Sequence, residues 1–564
     1  MAILHTTSPY RGRILTRNDI EGLIAEGRKI VILDGKVIKP DAWLPYHPGG
    51  DKAILHMVGR DATNEIKAFH SRETHDFMLK YQIGRIDGAW VDFPPPIQGG
   101  VFRTKEVQEA ADGKSSVERD SSDRDSSAEP SPIFDATESS SYLRRRRSNG
   151  AASDDSSATS LSDMELEEPS QTSKKAINDN NPPLLYDLTA YPDLNPTTQA
   201  NINQKYKLLD ARLRAQNLYA CNYTAYFYEL LRYTLLALLS YHCLQTHHYI
   251  PSALFLGMLW HQLTFTVHDA GHMGITHSFH LDSLLSILVA DFLGGLSACW
   301  WKQNHNVHHL VTNSAEHDPD IQHMPFFAIS PRFFGSLRST YYDRIMAFDS
   351  VAKFALKYQH YLYYPILCFG RFNLYVLSWQ YIILGQGPRK GPARHHRHLE
   401  MLGQVFFWYW FGYLVLYRSL PTAWDRILYI AISHAVTMPV HVQITLSHFA
   451  MSTVDLGPAE SFPQKMLRTT MDVDCPWWLD WFHGGLQFQA VHHLFPRMPR
   501  HNLRRAQGFV REFCEEVGIP YAVFGFVEGN GKVIGRLGEV AKQARMLAEC
   551  QRSIITVGEV LDGH

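Results

Sequence analysis

Tyr233 to Val267 is a run of 35 residues without Asp, Glu, Lys or Arg, and it leads directly into His268-Asp269-Ala270-Gly271-His272. The run is long enough for two short membrane crossings joined by a tight turn at Gln245–His248. Histidines at i and i+4 share one face of a helix continuing the second crossing. The pattern recurs in His305-Asn306-Val307-His308-His309 and, with glutamine in first place, in Gln489-Ala490-Val491-His492-His493. One such box is a weak signal, because paired histidines on a helix are usually incidental. Three boxes, each close to an apolar boundary, point to a metal cluster. Seven histidines exceed the four ligands that usually close a zinc site; imidazole suits iron, and two irons can share them. His448, in Leu446-Ser447-His448-Phe449, is a candidate extra ligand, and Gln489 a weak ligand or the holder of a metal-bound water. His277, His280 and His317 lack the spacing and are expected outside the cluster.

Met401–Tyr417 and Ile427–Val454 are also free of charge and form a second hairpin. Leu281–Cys299 carries Asp282 and Asp291, and Tyr361–Leu384 carries Arg371. A charge at bilayer depth costs about 2.5–3.5 kcal/mol, so both stretches are expected at the interface or half-buried. Topology agrees: one crossing between the first two boxes would put them on opposite sides of the membrane. The basic loop Arg389–Arg397 then stays cytosolic. The expectation is an all-α integral-membrane domain over 184–564, with four transmembrane helices near 233–246, 249–267, 401–417 and 427–447 and a cytosolic cap. Met1–Arg13 holds no apolar core of signal-peptide length, so both termini are expected in the cytosol.

Two further regions precede this domain. Ile30-Val31-Ile32-Leu33, Asp34-Gly35 and Lys36-Val37-Ile38 read as strand, turn and strand, within a compact α+β unit over 8–98. Residues 104–183 differ: Ser115 to Ser173 holds 18 serines in 59 residues, too few apolar groups to offset ordering entropy, hence a disordered linker. Lys+Arg 54 against Asp+Glu 56 leaves no basic footprint for nucleic acid. Seven scattered cysteines without C-x-x-C read as buried free thiols.

His47-Pro48-Gly49-Gly50, followed by Asp61-Ala62-Thr63 and Phe69-His70-Ser71, resembles the cytochrome b5 domain. The resemblance implies that His47 and His70 clamp a haem b iron from both faces, and that the domain passes electrons without activating oxygen. Ala68 stands where the family often has glycine. His56 and His75 are expected at the surface.

The order of the boxes, Trp300-Trp301-Lys302 before the second, His317-Asp318-Pro319-Asp320 after it, and Gln489 to Pro496 together resemble the membrane front-end desaturases with a fused cytochrome b5 domain. Within that group the likeness is greatest to the fungal sphingolipid delta-8 desaturases. The third box reads Gln-Ala-Val-His-His where Gln-Ile-Glu-His-His is common. The resemblance implies an endoplasmic-reticulum enzyme whose di-iron centre, held by the box histidines, uses dioxygen to place a double bond in the long-chain base of ceramide. Trp300, Trp301, Asn304 and His483 are candidate headgroup contacts. No G-x-G-x-x-G follows a strand, so electrons from NADH are expected through a separate cytochrome b5 reductase. The rivals are a delta-6 or delta-5 acyl desaturase and a lipid hydroxylase, the latter disfavoured by Gln489.

Overall fold

In the computed structural model the described residues are 12–108 and 182–562. The expected linker, 104–183, falls almost wholly outside them, as does the start of the 8–98 unit.

Thr16 caps the helix Arg17–Ala25 reciprocally: its Oγ1 accepts from Asp19 N at 3.1 Å, and its own N–H donates to the Asp19 carboxylate at 3.0 Å. Strands Val31–Leu33 and Lys36–Ile38 pair antiparallel, Val31 opposite Ile38. Asp34 and Gly35 both take positive φ, 48° and 70°, and a turn of that hand matches strand twist. Gln82–Arg85 adds the third strand. Ile20, Ile24, Ile30, Ile32, Val37 and Val58 fill the core beneath this sheet. Helices Asp51–Leu55, Thr63–Phe69 and Arg72–Met78 lie between the second and third strands in the chain, and Thr63–Phe69 packs against the first strand. The expected α+β architecture is present.

The remainder is helical. Helices Tyr223–Gln245 and Tyr249–Gly271 form the long hairpin read from the charge-free run. Each has 23 residues, about 35 Å at 1.5 Å per residue. Ser240 and Ser252 lock the pair, each hydroxyl donating to the other's carbonyl at 2.9 and 2.8 Å. Phe227, Leu231, Leu235 and Leu238 on the first helix, and Leu402, Val405, Phe406 and Tyr409 on the second hairpin, turn outward. Apolar faces exposed on that scale need a non-aqueous neighbour.

Among the described residues, two helical stretches are long and apolar enough to cross a membrane, His396–Ser419 and Ala423–Phe449. A third, Phe279–Leu293 with Ala298–Leu310, qualifies only as a pair, bent by 117°. The bend returns the chain, so the second box comes back beside the first. Asp291 and Arg371 differ from expectation: both are buried in protein, with 0% and 4% exposure. Asp291 accepts from Ala298 N at 3.2 Å and Gln404 Nε2 at 3.1 Å. Arg371 donates to Tyr375 OH at 2.9 Å and to Gly294 O, over the Trp260 ring. Each side chain is hydrogen-bonded to polar groups of the protein itself. The cysteines are free thiols as expected, but only Cys475 and Cys514 are buried.

Arg468, 1% exposed, donates to both oxygens of Glu460 at 2.7 and 2.8 Å and to Asp187 at 2.8 Å. Arg468→Ala strands two buried carboxylates, so a loss of about 3–5 kcal/mol is expected. The thermal unfolding midpoint of the detergent-solubilised chain checks this, and an unchanged midpoint would deny the cluster a structural role.

Candidate functional site

Three helices bring the boxes together. His268 sits on the last turn of Tyr249–Gly271, with His272 capping it; His305, His308 and His309 share one face of Ala298–Leu310; His492 and His493 lie on Gln489–Leu494. His272 and His305 are 5.0 Å apart between ring centroids, and His268 and His492 are 4.4 Å apart. Ligand atoms of His268, His272, His305 and His492 lie within 4.8 Å of one another, as do those of His308, His448 and His493. His448, at the end of Met438–Phe449, thus belongs with the second group.

His309 joins the two groups. Its Nε2 lies 3.1 Å from the Nε2 of His305 and 3.1 Å from that of His492, while its ring stacks on His493 at 4.0 Å. Burial, reinforced by neighbouring imidazoles, pushes His492 and His493 well below the usual histidine range. Neutral imidazole nitrogens that converge with lone pairs inward repel one another unless a cation stands between them. His268 Nε2, His272 Nε2, His309 Nδ1, His448 Nδ1 and His493 Nε2 are buried with no hydrogen-bond partner. This donor set fits two metal ions bound by imidazole.

Carboxylates stand behind the ring nitrogens that face away. Both oxygens of Asp318 accept from His308 Nδ1 at 2.9 Å, which leaves His308 Nε2 for the interior. Asp320 lies 3.6 Å from His305 Nδ1 and accepts from Asn304. Thr312 Oγ1 meets His493 Nδ1 at 3.3 Å. Asp269 and Glu229 share buried Arg500, which ties the first box to the helix after the third. The sequence singles out Asp318, Asp320 and Asn304 and includes Asp269 in the first box; the contacts of Thr312 with His493 and of Arg500 with Asp269 and Glu229 join residues far apart in the chain and carry no local signal. Gln489 is buried, 4% exposed, and opens the third box helix.

Trp301 stacks on His305 at 4.5 Å and meets His268 edge-on at 5.4 Å. It covers the cluster, and a Cβ on Gly271 would run into its ring. Trp300 packs with Tyr381 and Ile382, and His483 faces Phe526. His277 and His317 lie outside the cluster, bound to Met273 O and Thr340 Oγ1.

In the N-terminal domain, His47 and His70 face each other at 6.0 Å between centroids. His47 Nδ1 donates to Gly50 O at 2.7 Å and His70 Nδ1 to Ile66 O at 3.0 Å. Both Nε2 lone pairs are therefore free. Burial holds His47 below the usual range, and burial with His47 as neighbour takes His70 down to about 3. Two neutral imidazoles so spaced fit a six-coordinate haem iron. His75 is half-buried, its Nε2 3.3 Å from Ile66 O. His56 corrects the surface expectation: it is 0% exposed, bonded to Gln98 at 2.9 Å and beside His317 at 5.4 Å.

The N-terminal and helical domains form one compact unit. Val31, Ala53, Met57 and Ala62 share an apolar cluster with Val307, Leu310 and Val311 of the second box helix.

The cytochrome b5-like haem/steroid binding domain profile matches residues 16–87, and the fatty acid desaturase profile matches 245–525. A Delta 8-(E)-sphingolipid desaturase of Emericella nidulans is 59% identical over 99% of this chain and 100% of its own length. One of Lachancea kluyveri is 48% identical over 95% of each chain. A protein of Arabidopsis thaliana named Delta(8)-fatty-acid desaturase 1 is 42% identical over 53% of this chain and 65% of its own length. The chain belongs to the cytochrome b5-fused sphingolipid delta-8 desaturase family. In this desaturase both clusters thus fall inside matched regions, His47 and His70 in the first and the boxes in the second.

The two sites separate in a pair of variants. His70→Ala should lose the bis-histidine haem spectrum while metal stays at the boxes, and His492→Ala should do the reverse. Asp318→Ala removes the acceptor behind His308 together with the acceptor for the Asn313 and Asp320 backbone N–H groups, and metal retention should weaken about 10–100-fold. Visible spectra with metal analysis decide, and a retained bis-histidine spectrum in His70→Ala would sink the haem assignment.

Proposed function

We propose that this protein introduces a trans double bond between carbons eight and nine of the long-chain base of a ceramide. The observation that carries the reading is the convergence of His305, His309 and His492 nitrogens at 3.1 Å within a buried histidine cluster, in a chain 59% identical end to end to a Delta 8-(E)-sphingolipid desaturase. Over one cycle, two substrate hydrogens, two electrons and two protons reduce one dioxygen to two waters.

His268, His272, His305, His308, His309, His448, His492 and His493 are the residues we assign to two irons, with Gln489 at the edge of the set, and His47 and His70 to a haem b. When bound, iron at the boxes supplies dioxygen activation and hydrogen abstraction, and the haem supplies electrons singly. The chain's own residues do the rest. Asp318 fixes the His308 tautomer through Nδ1, so that its Nε2 faces the cluster. Trp301 lies across His305 and His268 and keeps water from that face. Asn304, already committed to Asp320, orients that carboxylate behind His305 and is a weaker candidate for headgroup contact than its sequence position implies.

The outward apolar faces of both hairpins support four crossings, and the 117° bend supports boxes on one side, the cytosolic one, in the endoplasmic-reticulum membrane. A flavoprotein cytochrome b5 reductase is the proposed electron donor.

Two measurements test this. Expression in a host lacking delta-8 unsaturation should yield sphingoid bases with a new double bond by mass spectrometry. New double bonds confined to acyl chains would move the assignment to the acyl-desaturase rival. A glycosylation tag within Gln245–His248 or near Leu420 should be modified and one in Arg389–Arg397 should not; modification of the basic loop would overturn the four-span topology.

A further inference from the structure

The haem domain touches the box cluster through one aromatic side chain. Phe69 ends the helix Thr63–Phe69 and immediately precedes His70, whose Nδ1 is fixed by Ile66 O. Its ring meets His309 edge-on, centroids 5.5 Å apart at 85°, and lies 6.4 Å from His272. His309 is the imidazole that joins the two metal-binding groups. No other ring of the N-terminal domain has a described contact with a box histidine. Behind this contact the seam is closely fitted. A Cβ on Gly49 would lie 2.6 Å from Asn306 Nδ2, and one on Gly50 would lie 3.3 Å from Gln303. Lys52 donates to Thr340 O at 2.5 Å, and Asn64 to Asn203 at 2.8 Å.

Electron transfer between buried centres weakens exponentially with the gap between their edges, and a packed side chain bridges that gap better than solvent. We propose that Phe69 is the bridging residue through which electrons pass from the haem at His47 and His70 to the metal cluster at His309, with the haem domain docked. The inference rests on the haem and iron assignments above. The balance is simple: a reduced flavoprotein reduces the haem iron from ferric to ferrous, and the haem returns to ferric as each electron leaves past Phe69. Two such transfers serve each double bond, and dioxygen is the terminal oxidant.

The bland alternative is that Phe69 only fills the apolar seam. Leucine would serve a filler's purpose and tyrosine would keep the ring, so the two variants separate the readings. The full-length chain in lipid nanodiscs, with haem spectrum and iron content confirmed, is reduced by NADH and cytochrome b5 reductase. Haem reoxidation is then followed by stopped flow with ceramide and dioxygen. Phe69→Leu should slow reoxidation by about tenfold or more and Phe69→Tyr by no more than about twofold, with haem reduction unchanged in both. Reoxidation of Phe69→Leu at the wild-type rate, or equal slowing in both variants, would overturn the bridge while leaving the haem and iron assignments intact. Absence of haem or iron in the wild-type chain would instead overturn those assignments. If Phe69→Leu loses haem, Gln303→Trp wedges the same seam from the box helix. It should slow the same step with an unaltered spectrum, and a wild-type rate there would equally refute the docked route.

Discussion

Five buried imidazole nitrogens in one cluster lack any hydrogen-bond partner, and three others converge at 3.1 Å. Leaving a buried polar atom unsatisfied costs about 1–3 kcal/mol. Five of them therefore cost an amount comparable to the whole stability of a domain, about 5–15 kcal/mol. An arrangement so unfavourable without a cation fits the two proposed irons, and binding them would be coupled to formation of the cluster. Asp318 and Asp320 add the negative charge that a pair of divalent ions would balance.

The rest of the helical domain follows from keeping that cluster in one place. Box one ends a long apolar hairpin, while box two begins after a stretch that must not carry the chain away. The 117° bend before Ala298–Leu310 meets this constraint, and Asp291 is placed to stabilise it by accepting from Ala298 N on one side and Gln404 on the other. Arg371 clamps the same corner through Gly294 O. Charges that look like defects in apolar segments are thus the polar contacts that hold a turn inside protein.

What the sequence disclosed is what local periodicity encodes. Histidines at i, i+3 and i+4 announce a shared helix face; Asp-Gly between apolar runs announces the hairpin; thirty-five residues without charge announce a helical pair. His448 was reachable because it closes an apolar run at the level of the boxes. Contacts between distant residues carry no such signature. Arg500 with Asp269 and Glu229, Arg468 with Asp187, and the burial of His56 against His317 all depend on segments brought together by the fold. The same holds for the haem domain: His47-Pro48-Gly49-Gly50 identifies what the loop holds, and nothing in it discloses that Gly49 and Gly50 pack on the second box helix.

That seam changes how electron delivery is to be understood. A flexible tether alone would work by raising the local concentration of a mobile haem domain, each transfer waiting on an encounter. The seam here has an apolar centre, Val31, Ala53, Met57 and Ala62 against Val307, Leu310 and Val311, with hydrogen bonds from Lys52 and Asn64 at its edge. An apolar centre within a polar margin is the anatomy of a specific protein interface. The docking surface belongs to the helix that carries His305, His308 and His309. Fusion in one chain then does more than keep a donor nearby: it lets one helix present an apolar face to the haem domain and a histidine face to the cluster.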